Sequence, residues 1–244
     1  MTSEVFERSN ELRERAAEMG VTLSDRQLEQ FLLYYDLLLR WNEKMNLTAI
    51  TEWKDVLEKH FLDSLTLAFS LPSHAAGLRM IDIGTGAGFP GVPLKIAFPE
   101  IEVTLADTLN KRVGFLNEVI SMLELTGVSA IHARAEDLAR DQAYRMTYDL
   151  AVSRAVAALP VLLEYCTPFL KVGGEFVAYK TDSAYEEIDH STHALEELSC
   201  SVSGISIPQI PGTDLSRVLI HVRRDQEVDS RYPRRAGMPE KKPL

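Results

Sequence analysis

Four short stretches of this chain hold residues whose types and spacing could do chemistry: Asp82 to Phe89, Asp107-Thr108-Leu109, Ala135-Glu136 and Ser153-Arg154. Three begin where an apolar run ends, and the first sits at the end of the run Met80 to Ile83. That run suits a buried parallel strand. Gly84, Gly86 and Gly88 follow at alternate positions, where the backbone can take conformations closed to residues with a Cβ and a ligand can approach the main chain. Pro90 and Pro93 fit the first turn of a helix, which needs no N–H there. A second strand, Glu102 to Ala106, then ends in Asp107, placed to accept ribose hydroxyls. Strand, glycine turn, helix, strand and carboxylate together predict a nucleoside-binding half of an α/β sheet.

A dinucleotide pattern, Gly86-x-Gly88-x-x-Gly91, is present but starts too late, because its first glycine should follow the strand at once. Asp82-x-Gly84-x-Gly86-x-Gly88 instead resembles motif I of class I S-adenosylmethionine-dependent methyltransferases. That resemblance implies a turn packed against the methionine part of the cofactor. A dinucleotide-dependent oxidoreductase is the competing reading.

The elements that must position these groups follow from periodicity. Residues 4–19 read as a charged helix. Ser24 and Gln27 form a capping box ahead of a helix with apolar residues at 28, 31, 32, 35, 38 and 39. Trp41 to Thr48 breaks the pattern with two asparagines. A further helix, about Lys54 to Ser70, carries His60 and Asp63 one turn apart. They make either a surface hydrogen bond or an ordered pair facing the cofactor mouth. Pro72 to Gly77 reads as the junction, dividing an N-terminal helical extension (1–75) from a sheet domain (76–244).

Beyond the glycine turn, Asn110 is placed to cap a helix from Lys111 to Leu125, with Val113, Leu116, Val119, Ile120 and Leu123 inward and Gly127 ending it. Strands are expected at Val128 to Arg134, Tyr148 to Ser153 and Glu175 to Lys180. A helix opens at Pro160, Val172-Gly173-Gly174 makes a turn, and residues 183–198 are helical. Two strands close the chain, about Ser201 to Ile207 and Arg217 to Arg223, with no helix between them. The alternation predicts a mostly parallel sheet with helices on both faces and one antiparallel member. That is the seven-stranded, Rossmann-like α/β sheet of class I methyltransferases.

Composition sets limits. The chain has 244 residues, 45% hydrophobic and 25% charged, with a net charge of −10, which argues against a nonspecific polyanion binder. Any nucleic-acid contact must be local. Cys166 and Cys200 have no metal-ligand spacing and suggest a reduced, cytoplasmic protein. The acidic first residues do not read as a signal peptide, and no transmembrane or membrane-bound segment is expected.

The fourth strand lacks the Asn/Asp-Pro-Pro-Tyr/Phe motif usual in enzymes that methylate adenine amino groups, carrying Ser153-Arg154-Ala155-Val156 instead. Cys166 and Cys200 read as core thiols rather than nucleophiles for pyrimidine C5. A ring nitrogen with its own lone pair, such as guanine N7, fits what remains, since it needs alignment and no prior deprotonation. The end of the chain, about 225–244, is basic, and Arg231, Arg234, Arg235, Lys241 and Lys242 are its densest cluster. Proline-rich and so read as non-helical, it is expected to be an extended arm for phosphates, with Tyr232 stacking on a base.

Across nearly its whole length the chain resembles the bacterial 16S ribosomal RNA guanine-N7 methyltransferases, also called the glucose-inhibited division protein B family. The resemblance rests on Trp41-Asn42 through Asn46-Leu47-Thr48, His60 to Leu65, Asp82 to Pro93, Lys111-Arg112 with Phe115-Leu116, Arg134-Ala135-Glu136, Ser153-Arg154-Ala155 and Tyr232-Pro233-Arg234-Arg235 with its Gly-x-Pro ending. It implies methyl transfer from S-adenosylmethionine to a guanine of 16S rRNA, leaving S-adenosylhomocysteine and using no metal. The implied cofactor residues are Gly84, Gly86, Gly88, Phe89, Asp107, Thr108, Leu109, Ala135, Glu136 and Arg154. Arg154 is also the expected orienting residue for catalysis. Asp107 would hold the ribose, and Ala135 and Glu136 the adenine. RNA contacts are expected at Lys180, Arg231, Arg234, Arg235 and Lys241. The expected partner is 16S rRNA, the small subunit or an assembly intermediate, met by a cytoplasmic monomer. A non-catalytic S-adenosylmethionine-binding regulator is the third reading. One departure from the family pattern is Lys180-Thr181 in place of Lys-Gly.

Overall fold

The computed structural model describes residues 3–71, 76–181, 183–215 and 217–244. The expected junction falls largely on Pro72 to Ala75, outside the described residues. Helices α1 (Ser3–Glu18) and α2 (Asp25–Asn42) form the N-terminal extension. The capping box is present: Ser24 Oγ accepts from the Gln27 N–H, and Gln27 Oε1 accepts from the Ser24 N–H at 2.8 Å. After Trp41, the Asn42 side chain accepts from the N–H groups of Leu47 and Thr48 and closes the break as a turn.

The helix expected at Lys54 to Ser70 is helical throughout but not uniform. It runs as α3 (Trp53–Val56), a π-helical turn (Leu57–Leu62), α4 (Asp63–Leu65) and a 3-10 turn (Thr66–Ser70). Side chains enter its hydrogen-bond ladder at the wide turn. The Lys59 carbonyl accepts from Arg154, and the His60 carbonyl from Ser64 Oγ, the kind of intrusion that distorts a helix.

The sheet follows as β1 (Arg79–Ile83), α5 (Gly91–Ala97), β2 (Glu102–Asp107), α6 (Asn110–Met122), β3 (Val128–His132), α7 (Ala135–Leu138), β4 (Tyr148–Arg154), α8 (Leu159–Cys166), β5 (Leu170–Lys180), α9 (Ala184–Asp189), α10 (Thr192–Glu197), β6 (Cys200–Ser206), β7 (Val218–Arg224) and α11 (Met238–Lys241). The seven strands lie in the order β3-β2-β1-β4-β5-β7-β6. All pairings are parallel except those of β7, which runs antiparallel to both neighbours. Strand order therefore reverses between β1 and β4, and the crevice at their carboxyl ends is where such sheets bind ligands.

Period-two alternation divides the core. Met80, Leu105, Leu150 and Val152 join α1, α2, the π-helical turn, α5 and α6 in one apolar cluster. Ile81, Ile83, Ala106 and Ala151 join α8 and the chain's end in the other. The N-terminal extension thus shares a core with the sheet. It also covers orphan helix ends: Gln27 Nε2 donates to the carbonyls of Ile96 and Ala97, the last two residues of α5, and Gln30 Nε2 to that of Leu123 just after α6.

Several local expectations are corrected. Asn110 makes no cap bond; Leu109 is the N-cap, and its N–H is held by Asp107 Oδ1 at 2.9 Å. Helix α6 stops at Met122, short of Leu125, because Glu124 already takes φ +52°. Phe115 joins its buried stripe, whereas Ile120 is only half-buried. Val172-Gly173-Gly174 does not precede β5 but lies inside it, at a register shift where Gly173 takes φ +83°. Residues 183–198 form two short helices rather than one.

Candidate functional site

The glycine turn is fastened from both ends by one carboxylate. Asp82 is fully buried, and its Oδ2 accepts from Thr85 Oγ1 at 2.7 Å and from the Gly91 N–H at 2.8 Å. Its Oδ1 has no partner. Burial pushes this acid up to about 6, against the lowering effect of the Thr85 and Gly91 bonds. His60, by contrast, is pushed down to about 4, by burial first and by Arg154 second. A neutral ring with Nδ1–H donating to the Lys59 carbonyl at 3.0 Å and Nε2 accepting from Thr48 Oγ1 satisfies both contacts.

The glycines play different parts. Gly84 (φ +71°) faces the end of β4, and a Cβ there would stand 2.5 Å from Val156 Cγ2. Gly88 faces the other way, where a Cβ would meet the Tyr34 hydroxyl and Val92 Cγ2, both at 2.7 Å. Tyr34 of α2 donates to the Ala87 carbonyl, so the N-terminal extension clamps the turn from behind. Phe89 is buried, with its ring stacked on His60 at 4.4 Å. The Arg154 guanidinium lies 5.2 Å from the Phe89 centroid.

At the carboxyl ends of β1 to β4 is a cavity of about 340 Å³, whose walls include Gly84, Asp107, Thr108, Ala135 and Glu136. These five expected cofactor residues come together although the sequence spreads them over more than fifty positions. Asp107 also receives the N–H of Gly86 at 2.9 Å and the Arg112 guanidinium at 3.4 Å. Gly86, Gly88, Phe89, Leu109 and Arg154 do not line the cavity. Gly86 touches it through Asp107, and Leu109 projects into solvent, 51% exposed. Sequence reasoning missed Arg112, Ala155, Val156, Tyr165 and Glu240 in the walls. Arg112 and Ala155 stand inside motifs that carried the resemblance; Tyr165 and Glu240 left no local signal.

Arg154 is an internal tie. It donates to Asp63 Oδ2 at 2.5 Å and to the Lys59 carbonyl at 3.0 Å, and Arg217 Nε donates to Asp63 Oδ1 at 2.5 Å. Asp63 is fully buried, and the Arg154 side chain only 10% exposed. His60 and Asp63 do not bond each other; Asp63 accepts from Arg154, whose Nη2 lies 3.4 Å from His60 Nδ1, so the helix carrying them packs on the end of β4, and neither residue lines the cavity. Lys180 is engaged too, by the Ala157 carbonyl and Glu187 Oε2. It pins the loop after β4.

The basic end of the chain is not an extended arm. Tyr232 is buried and donates to Glu197, so it is not free to stack on a base. Arg234 grips the fully buried Glu164 with two nitrogens, Nε at 3.0 Å and Nη2 at 2.6 Å. The Gly237 N–H donates to Glu136 Oε1 at 2.8 Å, and Met238 to Lys241 forms α11 despite Pro239, which sits in its first turn. Arg231, Arg235, Lys241 and Lys242 remain exposed; Arg231 pairs with Glu197 at the surface. The two cysteines are buried, and burial raises both thiols, Cys200 to about 12. Among the described residues, no group of three or more His, Cys, Asp or Glu side chains is arranged to hold a metal ion. No described helix is long and apolar enough to cross a membrane.

Asp82 and His60 titrate in the same window with opposite signs. Asp82 is raised on folding, so the native state holds the extra proton between about 4 and 6 and loses stability as pH rises through it. His60 is lowered, so its contribution is lost as pH falls from about 6.5 to 4. The two nearly offset in the native protein. Asp82→Asn removes one of them, so the variant's melting temperature, relative to the native chain, should climb as pH is raised from 4.5 to 7.5. The climb should correspond to roughly 2 kcal/mol. A difference constant with pH would overturn the buried-acid reading.

A family model described as rRNA small subunit methyltransferase G matches residues 27–213. The curated ribosomal RNA small subunit methyltransferase G of Acetivibrio thermocellus is 48% identical over 231 residues, covering 95% of this chain and 94% of that protein. That of Desulfitobacterium hafniense is 50% identical over 226 residues, covering 93% of each. Among solved structures, a ribosomal protein L11 methylase from Lactobacillus delbrueckii subsp. bulgaricus superposes with a TM-score of 0.50 at 17% identity, over 72% of this chain and 81% of that one. The last likeness is one of fold, the class I methyltransferase sheet.

Proposed function

The chain belongs to the rRNA small subunit methyltransferase G family, and from that premise we propose that it methylates N7 of a guanine in 16S rRNA, using S-adenosylmethionine. The observation that carries the reading is the cavity at the strand-order reversal, with a ribose-competent carboxylate, Asp107, on one wall and the β4 end on another. A cavity of about 340 Å³ with that carboxylate and the Ala135-Glu136 helix start suits an adenosine group. When bound, S-adenosylmethionine supplies a sulfonium-activated methyl group, which a ring-nitrogen lone pair can take as the N–C bond forms and the S–C bond breaks. Asp107 would hold the ribose, and Gly84 and Val156 would bring main chain close to the methionine end.

Nothing in the site is asked to remove a proton. N7 carries its own lone pair, and Arg154, tied to Asp63, is a positioning residue that fixes the β4 end against the π-helical turn. Buried, protonated thiols offer no nucleophile for pyrimidine C5. The proposed partner is 16S rRNA, naked or within the small subunit or an assembly intermediate, met in the cytoplasm by a monomer. Methyl transfer from labelled cofactor to unmodified 16S rRNA and subunits, followed by mapping of the labelled base, tests this. Label on any atom other than guanine N7 would refute it.

RNA contacts are best sought at the exposed cations of the chain's end, Arg231, Arg235, Lys241 and Lys242, since Lys180 and Arg234 are held internally. Arg235→Ala with Lys241→Ala should flatten the log–log salt dependence of RNA binding by roughly 1–2 units. Affinity for S-adenosylhomocysteine should stay unchanged. Coincident salt slopes would move the RNA surface elsewhere.

A further inference from the structure

The sequence assigned the adenine end of the cavity to Glu136. The structure gives Glu136 a second task. Its Oε1 accepts the Gly237 N–H at 2.8 Å, so it seats the last segment of the chain. That segment is fastened along its length. Arg145 donates to the Tyr232 carbonyl at 2.8 Å, Arg140 to the Pro233 carbonyl at 2.6 Å, and Arg234 pairs with Glu164. Val228 and Tyr232 enter the apolar cluster of α8. The consequence for the cavity is a wall made from the chain's end: Glu240 lines it together with Glu136 of α7 and Tyr165 of α8.

Tyr165 is buried and lines the same cavity as Glu240. Burial and then the nearby carboxylates of Glu136 and Glu240 raise the phenol well above its ordinary value. It stays protonated. Glu240 is exposed at the rim, and an ionised carboxylate there is an acceptor with room for about four hydrogen bonds. An adenine seated on the Ala135-Glu136 side presents an exocyclic amine, which donates two hydrogen bonds and accepts none. A carboxylate at the rim matches that edge; a 6-oxo purine, which presents an acceptor there, does not.

We propose that Glu240, placed in the cavity wall by the docked end of the chain, accepts from the exocyclic amine of the cofactor's adenine and selects it against a 6-oxo purine. This rests on the S-adenosylmethionine reading above and adds a residue to it from a segment the sequence had assigned to RNA. Glu136 then serves chiefly as the seat of that segment.

The test is calorimetric binding of S-adenosylhomocysteine and of its 6-oxo analogue, S-inosylhomocysteine, to the whole chain. The native protein should prefer the adenine form. Glu240→Gln, at an exposed position, should fold normally. It should lose at least about fivefold in affinity for S-adenosylhomocysteine, as one charge-assisted bond is exchanged for a neutral one, and lose the preference between the analogues, because an amide can face either edge. Glu136→Gln, whose amide oxygen can still accept from Gly237, should keep the preference. If Glu240→Gln discriminates as the native chain does, or if Glu136→Gln alone abolishes discrimination, the inference falls while the methyltransferase reading stands. If the native chain binds neither compound, the cofactor reading falls and this inference with it.

Discussion

Asp63→Ala is expected to lower the stability of this protein by about 3–5 kcal/mol, because it strands two guanidinium groups at once. Asp63 is fully buried, and its two oxygens each hold an arginine at 2.5 Å, Arg154 from β4 and Arg217 from just before β7. Removing the carboxylate leaves Arg154 with the Lys59 carbonyl and little solvent in exchange. For a chain of this size that loss corresponds to roughly a 10 °C drop in melting temperature. The effect should reach the site as well, since Arg154 holds the end of β4 whose Ala155 and Val156 line the cavity. Methyl transfer at a permissive temperature should fall through kcat more than through the KM for cofactor. Thermal unfolding of Asp63→Ala, with Arg217→Met as a control that removes one cation instead of the anion, checks this. A melting temperature within about 2 °C of the native value would show that water reaches the arginines and that the cluster is not a structural tie.

Asp107→Ala should have its largest effect on the cofactor. A carboxylate accepting two ribose hydroxyls makes charge-assisted bonds worth about 1.5–3 kcal/mol each, so affinity for S-adenosylhomocysteine should fall tenfold or more. The same oxygens receive the N–H groups of Gly86 and Leu109, so the glycine turn and the start of α6 loosen too, and the variant should melt somewhat lower than the native chain. Asp107→Asn separates the contributions, because it keeps one acceptor oxygen but loses the charge and the second acceptor, its NH2 group being a donor. It should fall between the alanine variant and the native protein in affinity. Calorimetry on all three chains measures this. Native affinity in Asp107→Ala would remove the ribose from this wall.

Glu164 shows why an expectation about the basic end of the chain needed correction. Its sequence neighbours are apolar, and nothing within a few residues signals a partner. The partner is Arg234, seventy positions away. Charge composition counts the arginine as available to phosphate, but the folded chain places a fully buried carboxylate against it. Replacing Arg234 would therefore test stability before it tested RNA binding. Lys180 repeats the lesson through Glu187 and the Ala157 carbonyl.

What the sequence determined by itself is what short-range physics encodes. Short apolar runs ending in turn residues set the strands, and the alternation of strands with helices set a sheet covered on both faces. The Ser24–Gln27 box set the start of α2. The glycine spacing after Ile83 and the carboxylate after Ala106 marked the strand ends where a nucleoside would sit, and the run of motifs identified the family. These signals survive because each depends on neighbours within one turn or one strand. The tertiary structure alone decided which marked residues face the cavity: Gly84 toward Val156, Gly88 toward Tyr34, Phe89 into an aromatic cluster. It also decided which charges are free, through pairs such as Asp63 and Arg217, 154 positions apart. A buried charge is stable only beside its counter-charge, and that partner is chosen by how the sheet, the N-terminal helices and the end of the chain come together, which no local pattern records.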